Sequence, residues 1–270
     1  MGVDWFFETN KAQVDVFGNH ALAFDCNKLV AMNEASMKYN LEHKQTLLSL
    51  ISDIRGVRIN PKNIQDYVVR NLAGTIMCSN DKVVVYVDED DRRFAIFETS
   101  TKYRNDQVWF AEYEKYMLKP ENQRAIYDFL MSRDISGVDW VKDRPKTRAF
   151  LEMRNSNLSL AMKWFVGFID NYPWTYHDIT HGRVERANVH RWKADDLSRT
   201  YPHTPSDKDP ARHFGVVMKD MVEKYDVPQT CLRKEKKDGV IVWTIDHQAC
   251  KSWLEDREFL LPDRETLETS

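Results

Sequence analysis

The chain has 270 residues, 42% of them hydrophobic and 30% charged, with a formal net charge of −3. A chain of this length can bury roughly 70–75% of its unfolded surface, which suits one soluble domain or a domain with a smaller companion. Its 9 glycines fall well below the usual share of about 7%, and no two of them lie close enough for a GxxxxGK[ST] or GxGxxG phosphate loop, whose backbone N–H groups must approach phosphate.

Further classes are set aside on the same grounds. The charge balance provides no bulk field to attract nucleic acid, which leaves only a local basic patch for that purpose. No apolar run approaches the ~18 residues of a membrane span. The N-terminus carries Asp4 and Glu8 in place of a basic leader, so no signal peptide is expected. Cys26, Cys78, Cys231 and Cys250 are scattered. They show no metal spacing and read as reduced, intracellular thiols.

In chain order, residues 1–105 read as α/β. Leu29–Met32, Thr75–Cys78, Val83–Val87 and Phe94–Phe97 are short apolar runs of the buried-strand kind. Leu47, Leu48 and Ile51 give helical spacing over Leu41–Ile51. Short buried strands alternating with helices predict a mainly parallel sheet. Residues 106–172 read as helical. Pro120 and Glu121 form a helix start, with Ala125, Ile126, Phe129 and Leu130 on one face. Leu160, Ala161, Trp164, Phe165, Phe168 and Ile169 form a second stripe, read as core. Residues 173–205, with Pro173, Pro202 and Pro205, read as a linker. In 206–262, Phe214 to Tyr225 predicts an amphipathic helix. Asp238-Gly239 between β-rich runs is a hairpin signal, and a short helix runs through Ala249, Trp253 and Leu254. Helix, basic hairpin and helix together resemble a winged-helix module.

Three groups of residues carry chemistry. Asn33-Glu34 ends an apolar strand, where a carboxylate can polarise water beside a metal ligand, although ordinary strands also end in Glu. Ser79-Asn80-Asp81 ends a second strand, where an amide can hold a phosphate oxygen; a turn uses the same residues. Arg92-Arg93 can offer a guanidinium to phosphate on a neighbouring subunit, or pair with Asp90 and Asp91. In the hairpin, Arg233, Lys234, Lys236 and Lys237 outnumber Glu235 and Asp238 and suit phosphate contact, as they also suit plain solvation. His177 and His181 have zinc-helix spacing, but Thr180, Gly182 and nearby prolines argue against a helix there.

Taken together, the strand–Glu34, strand–Asn80 and Arg92-Arg93 order resembles the back half of superfamily 3 helicases, AAA+ type ATPases of viral replication. The resemblance is strongest to the helicase domains of giant-virus and phage primase-helicases. Val16-Phe17-Gly18-Asn19-His20, Arg58-Ile-Asn-Pro-Lys62, Asp139-Trp140 and Arg144-Pro145-Lys146-Thr147 extend the likeness over roughly residues 14–170. It implies a partial AAA+ core in 1–105, followed by a helical extension, a linker and the winged-helix-like module. It makes Glu34 the water-activating Walker B carboxylate and places Asn33 where a Mg²⁺-associated Asp is commoner. It makes Asn80 sensor 1 and either Arg92 or Arg93 a finger acting in trans. Arg58 and Lys62 would lie on a hairpin facing DNA in a ring channel. ATP and Mg²⁺ would be the cofactors, and DNA, a homo-oligomeric (hexameric) ring and primase or replisome proteins the partners, with no membrane. The location would be intracellular, at a virus replication site if the protein is viral. No Walker A precedes Lys28, so hydrolysis would need a phosphate-holding segment from elsewhere and the chain alone is not expected to hydrolyse ATP. The competing expectation is a non-catalytic DNA-binding or replisome-interaction module.

Overall fold

The computed structural model describes residues 5–18, 22–35, 44–52, 56–61, 63–89, 91–139, 142–171, 183–186, 189–202 and 210–262. The chain divides into two units, Met1–Arg154 and Asn155–Ser270.

The first unit is built on a three-stranded parallel sheet in the order β1 (Phe6–Thr9), β2 (Leu29–Met32), β5 (Gly74–Met77). Thr9, Met32 and Met77 are level across it, so the three C-terminal ends open at one edge. Val30 and Met32 are buried while Leu29 and Ala31 are half-buried. This alternation follows from the two-residue period of a strand. Helix α1 (Ala12–Asp15) follows β1. Helix α2 (Lys44–Ser52) buries Leu47 and Leu50 in the core. An antiparallel pair, β3 (Val57–Ile59) and β4 (Tyr67–Val69), puts Val57 and Ile59 into the same core and leaves Arg58 exposed.

Two expected strands do not form. Val83–Val87 and Phe94–Phe97 are not strands, although Val85 and Val87 are buried and Phe94 and Ile96 pack on the core. The carbonyls of Phe94 and Ile96, two residues apart and so on the same side of an extended chain, accept from side chains. Arg144 Nη1 donates to Phe94 O at 2.6 Å, and Thr147 Oγ1 donates to Ile96 O. Arg144 also stacks over Phe150, 4.0 Å from the ring centroid. The apolar alternation therefore anchors an extended segment, and side-chain donors take the place of a neighbouring strand.

Helices α3 (Gln107–Met117) and α4 (Pro120–Met131) form where expected. The Asp106 carboxylate accepts from Trp109 N at 2.9 Å to cap α3, and Pro120 occupies the first turn of α4. Yet neither helix buries a single residue. Phe110, Phe129 and Leu130 are 51%, 60% and 60% exposed. Tyr103, Trp109 and Tyr113 form a column of parallel rings, with centroids 4.1 and 5.1 Å apart. Helix α5 (Arg148–Ser156) supplies Phe150 and Met153 to the core of this unit.

In the second unit, the stripe of α6 (Leu160–Asn171) is core, with Ala161, Met162, Phe165, Phe168 and Ile169 buried. A four-stranded antiparallel sheet runs in the order β6 (Arg183–Arg186), β7 (Val189–Lys193), β9 (Val240–Asp246), β8 (Leu232–Lys237). Helix α7 (Ala194–Ser198) leaves β7, α8 (Pro210–Tyr225) buries Phe214, Met218, Met221 and Tyr225, and α9 (His247–Asp256) closes the unit.

The sequence reading differs from this structure in three respects. β6, β7 and α7 occupy part of the 173–205 segment read as a linker. With sequences RVER and VHRWK, β6 and β7 carry too many cations to register as apolar runs. The basic hairpin is not a free wing, because β9 pairs with β7 as well as β8. And residues 1–105 carry, beside the expected parallel sheet β1–β2–β5, an antiparallel pair β3–β4, so that the chain as a whole is mixed α/β among the described residues. The β8–β9 turn follows its sequence: Asp238 and Gly239 both have positive φ, 51° and 80°, as a two-residue I′ turn requires.

His247, in the first turn of α9, sets its Nε2 3.0 Å from the Ile169 carbonyl of α6. Burial, aided by Lys251, lowers its pKa, with the Ile169 carbonyl and Asp246 opposing. The unfolded chain, with His near 6.5, then takes up the proton before the folded one does. Stability is therefore expected to fall as pH drops through about 6.5. Thermal unfolding followed by circular dichroism between pH 7.5 and 5.5 should show this loss, and His247→Gln should make it shallower.

Candidate functional site

The C-terminal edge of the parallel sheet gathers most of the sequence-derived candidates. β1 ends at Thr9, whose hydroxyl donates to Asp15 at 2.6 Å and accepts from Lys11 N at 2.7 Å, fixing the start of α1. β2 runs into Asn33, whose N–H continues the ladder to Thr9 O at 2.9 Å. The Asn33 side-chain amide donates to Glu8 Oε1 at 2.6 Å. β5 runs into Cys78 and Ser79. Cys78 N donates to Met32 O and Ala35 N to Cys78 O, both at 2.9 Å, while Ser79 Oγ donates to Ala35 O. The turn after β2 and the turn after β5 are thus fastened to each other.

Glu34 sits in that turn with φ +52°. A non-glycine residue in the left-handed region costs roughly 1–2 kcal/mol, and such conformations cluster at functional sites. Its side chain and that of Asn80 are exposed, with no hydrogen bond or ion pair among the described residues. Asn33 turns one N–H of its amide to Glu8, which leaves its oxygen as the atom available to a metal. Glu8 is the member that sequence reading missed. It lies on β1 just after the aromatic run Trp5-Phe6-Phe7, which the sequence reading did not take as a strand, and only the parallel register brings it beside Asn33.

The two arginines are distinguished by their contacts. The Arg93 Nε donates to Ser52 Oγ at 2.8 Å, and its Nη1 lies 3.5 Å from the buried Asp91 carboxylate. Asp91 also accepts from the backbone N–H of Arg93 at 2.8 Å and of Phe94 at 3.2 Å. Arg93 therefore holds its own loop to the end of α2. Arg92 is exposed and makes no such bond among the described residues.

The DNA-facing candidates are more dispersed. Arg58 lies on β3 and pairs across to Asp66 on the approach to β4 at 3.3 Å. Lys62, His177 and His181 lie outside the described residues. On β8, Arg233 pairs with Glu235 at 2.9 Å, and Lys234 lies over the Trp243 ring at 5.7 Å. All four cysteines are free, Cys26 and Cys78 exposed, Cys231 and Cys250 buried. The Cys250 thiol donates to the Cys231 carbonyl at 3.2 Å, and its hydrogen bonding to Cys231 together with burial pushes its pKa up. A thiol so placed is not a nucleophile.

Among the described residues, no three His, Cys, Asp or Glu side chains converge on a metal position. The edge offers one neutral amide oxygen from Asn33, the amide of Asn80 and the carboxylates of Glu8 and Glu34, with no phosphate cradle. These residues do not compose a complete nucleotide or Mg²⁺ site by themselves. They could supply a water-polarising carboxylate and a polar amide to a site completed by other groups. No helix of the described residues is long and apolar enough to cross a membrane.

Comparison with known proteins places this edge in context. The model of a family of unknown function, DUF5906, matches residues 5–93, the span from β1 through Glu34 and Asn80 to Arg93. A DNA primase-polymerase of Nitratiruptor phage NrS-1 is 26% identical over 175 residues, covering 63% of this chain and 24% of that protein. The apo structure of the NrS-1 C-terminal region superposes with a TM-score of 0.55 at 16% identity, covering 91% of this chain and 60% of that one. A second form, the A form apo structure, gives 0.56 at 16% identity, covering 89% and 59%. The chain thus spans about a quarter of the curated relative it matches. The structural likeness fixes the fold, while the sequence likeness is to a phage primase-polymerase.

Proposed function

We propose that this chain is part of a DNA-replication protein of viral type and carries the hydrolytic side of a ring-forming ATPase that drives DNA unwinding. The observation that carries the reading is the flush C-terminal edge of β1, β2 and β5. It brings Asn33 and Glu34 beside Ser79-Asn80, the two strand ends on which the helicase resemblance rests. The similarity to a phage DNA primase-polymerase supports the replication role.

On this reading Glu34 accepts a proton from the attacking water and Asn80 orients it. Arg92, with no hydrogen bond or ion pair among the described residues, reaches the site of a neighbouring copy, while Arg93 positions the loop. Asn33 would contribute one neutral oxygen toward Mg²⁺, and its amide nitrogen donates to Glu8. ATP and the metal would otherwise be gripped by a phosphate-holding loop from outside these 270 residues. β5 is the outer strand of its sheet among the described residues, which leaves an edge where such a segment could pair. Residues 1–105 then correspond to the partial AAA+ core and 206–262 to the DNA-contacting module, with Arg58, Lys62 and, on the basic hairpin, Arg233 and Lys237 toward DNA. The experiment is DNA-stimulated ATP hydrolysis by a protein that contains this chain together with its upstream region. Hydrolysis lost in Glu34→Gln supports the reading, and no hydrolysis at all removes it.

The exposed apolar side chains of α3 and α4, Phe110, Phe129 and Leu130 among them, support self-association, since contiguous exposed apolar surface marks interaction sites. Phe110→Asp with Phe129→Asp is expected to lower the sedimentation coefficient toward that of one chain while leaving the circular dichroism spectrum unchanged.

A second reading, a non-catalytic DNA-binding or replisome-interaction module, is favoured by the missing phosphate cradle. It predicts salt-sensitive DNA binding with no nucleotide affinity.

A further inference from the structure

The sheet of the second unit is far more basic than the chain that contains it. Its strands read RVER, VHRWK, LRKEKK and VIVWTID. They hold eight Lys or Arg against three acids, whereas the whole chain carries −3.

Strand periodicity divides these cations between two faces. Trp192, Trp243, Ile245 and Leu232 point into the core, which the helices of the unit cover. Lys234 and Lys236 share that side of β8, and Lys234 lies against the Trp243 ring at the sheet margin. The opposite side holds a different set. Arg191, Thr244 and Arg233 are level across β7, β9 and β8, and Lys193, Val242 and Glu235 form the next row, with Lys237 beyond. Lys193 and Lys237 are exposed, and Arg233 is half-exposed at its ion pair with Glu235.

Arg191 is half-buried beside the buried Thr244; we propose that this outer face, through Lys193, Arg233 and Lys237, binds the phosphate backbone of single-stranded DNA. Neighbouring strands lie about 4.8 Å apart and residues rise about 3.4 Å along a strand. The cations therefore span roughly 10 Å by 13 Å, a width suited to one backbone. The outer rows of β7, β9 and β8 carry Val240, Val242 and Thr244 between the cations and no aromatic ring. Contact is thus with phosphates rather than stacked bases, and binding is sequence-independent and salt-sensitive. The choice of DNA over another polyanion rests on the replication reading above. The binding itself needs no nucleotide, so it stands or falls separately from hydrolysis.

The test is fluorescence anisotropy of a labelled 20-nucleotide oligothymidylate with the full chain across a salt series, without ATP. Two double variants remove the same charge from opposite sides: Lys193→Ala with Lys237→Ala, and Lys234→Ala with Lys236→Ala. The outer pair is expected to weaken binding at least tenfold and to make log K against log salt shallower by about 1.4, the loss of two single-strand phosphate contacts. The core-side pair should change affinity less than threefold. Equal weakening by both pairs, or by neither, overturns the proposal. So does binding to phosphatidylserine vesicles, but not to the oligonucleotide, that depends on Lys193 and Lys237.

Discussion

Phe165→Ala is expected to cost about 3–5 kcal/mol, the usual range for a fully buried phenylalanine cut back to its Cβ. Phe165 is 0% exposed, on α6 among Met162, Phe168, Ile169, Trp192 and Phe214. The loss combines the transfer energy of the ring with the cavity left behind, because the flanking residues belong to different elements and cannot all close in. Domains of ordinary stability hold only about 5–15 kcal/mol. The unfolding midpoint of this unit in urea should therefore drop sharply with an unchanged slope. Phe129→Ala on α4 removes the same ring from a site 60% exposed, and surface changes of that kind usually stay within about 0.5 kcal/mol. Equal losses at the two positions would mean that α4 is packed within the monomer after all.

The second large effect is chemical. In a protein that contains the missing phosphate-holding segment, Glu34→Gln is expected to lower ATP hydrolysis by 10²–10⁴-fold, the range associated with a positioned proton acceptor. The substitution keeps the size and the left-handed backbone of the position (φ +52°) but removes the charge that polarises water, so folding and DNA affinity should be unaffected. Glu34→Gly gives a complementary result. Glycine enters the left-handed region without steric cost, so this variant should be as inactive as Gln yet no less stable than the parent. A clear loss of stability in Glu34→Gly would show that the side chain has a structural role that its exposed position does not suggest.

Local signals made much of the chain legible. The apolar runs at Leu29–Met32 and Thr75–Cys78 are strands, Asp238-Gly239 is a tight turn, and the stripe of α6 is core. What failed was information that lives in the partners. Phe129-Leu130 and Phe165-Phe168 look alike as helical stripes, and only the packing shows one exposed and the other buried. Val83–Val87 and Phe94–Phe97 have strand composition but are not strands among the described residues; at Phe94 and Ile96 the carbonyls are met by the side chains of Arg144 and Thr147. β7 is a central strand disguised by Arg191 and Lys193, whose side chains occupy its outer face.

The candidate site was similarly half-legible. Glu34 and Asn80 are strand-end residues that a sequence displays, whereas the Glu8–Asn33 bond depends on a parallel register between distant segments. The adjacent Arg92 and Arg93 are chemically identical in sequence. The buried Asp91 carboxylate and the Ser52 hydroxyl claim only Arg93, and this leaves Arg92 as the one to test.

The most direct test of the central claim is subunit mixing. DNA-stimulated ATPase activity is measured for protein extended through its upstream region, carrying Glu34→Gln or Arg92→Ala, each alone and then combined in one assembly. If Glu34 and Arg92 serve one site from adjacent copies, each variant alone is inactive. The mixture regains activity wherever an intact Glu34 meets an intact Arg92 across an interface. A mixture as inactive as its parts, or activity retained in Glu34→Gln alone, contradicts the account.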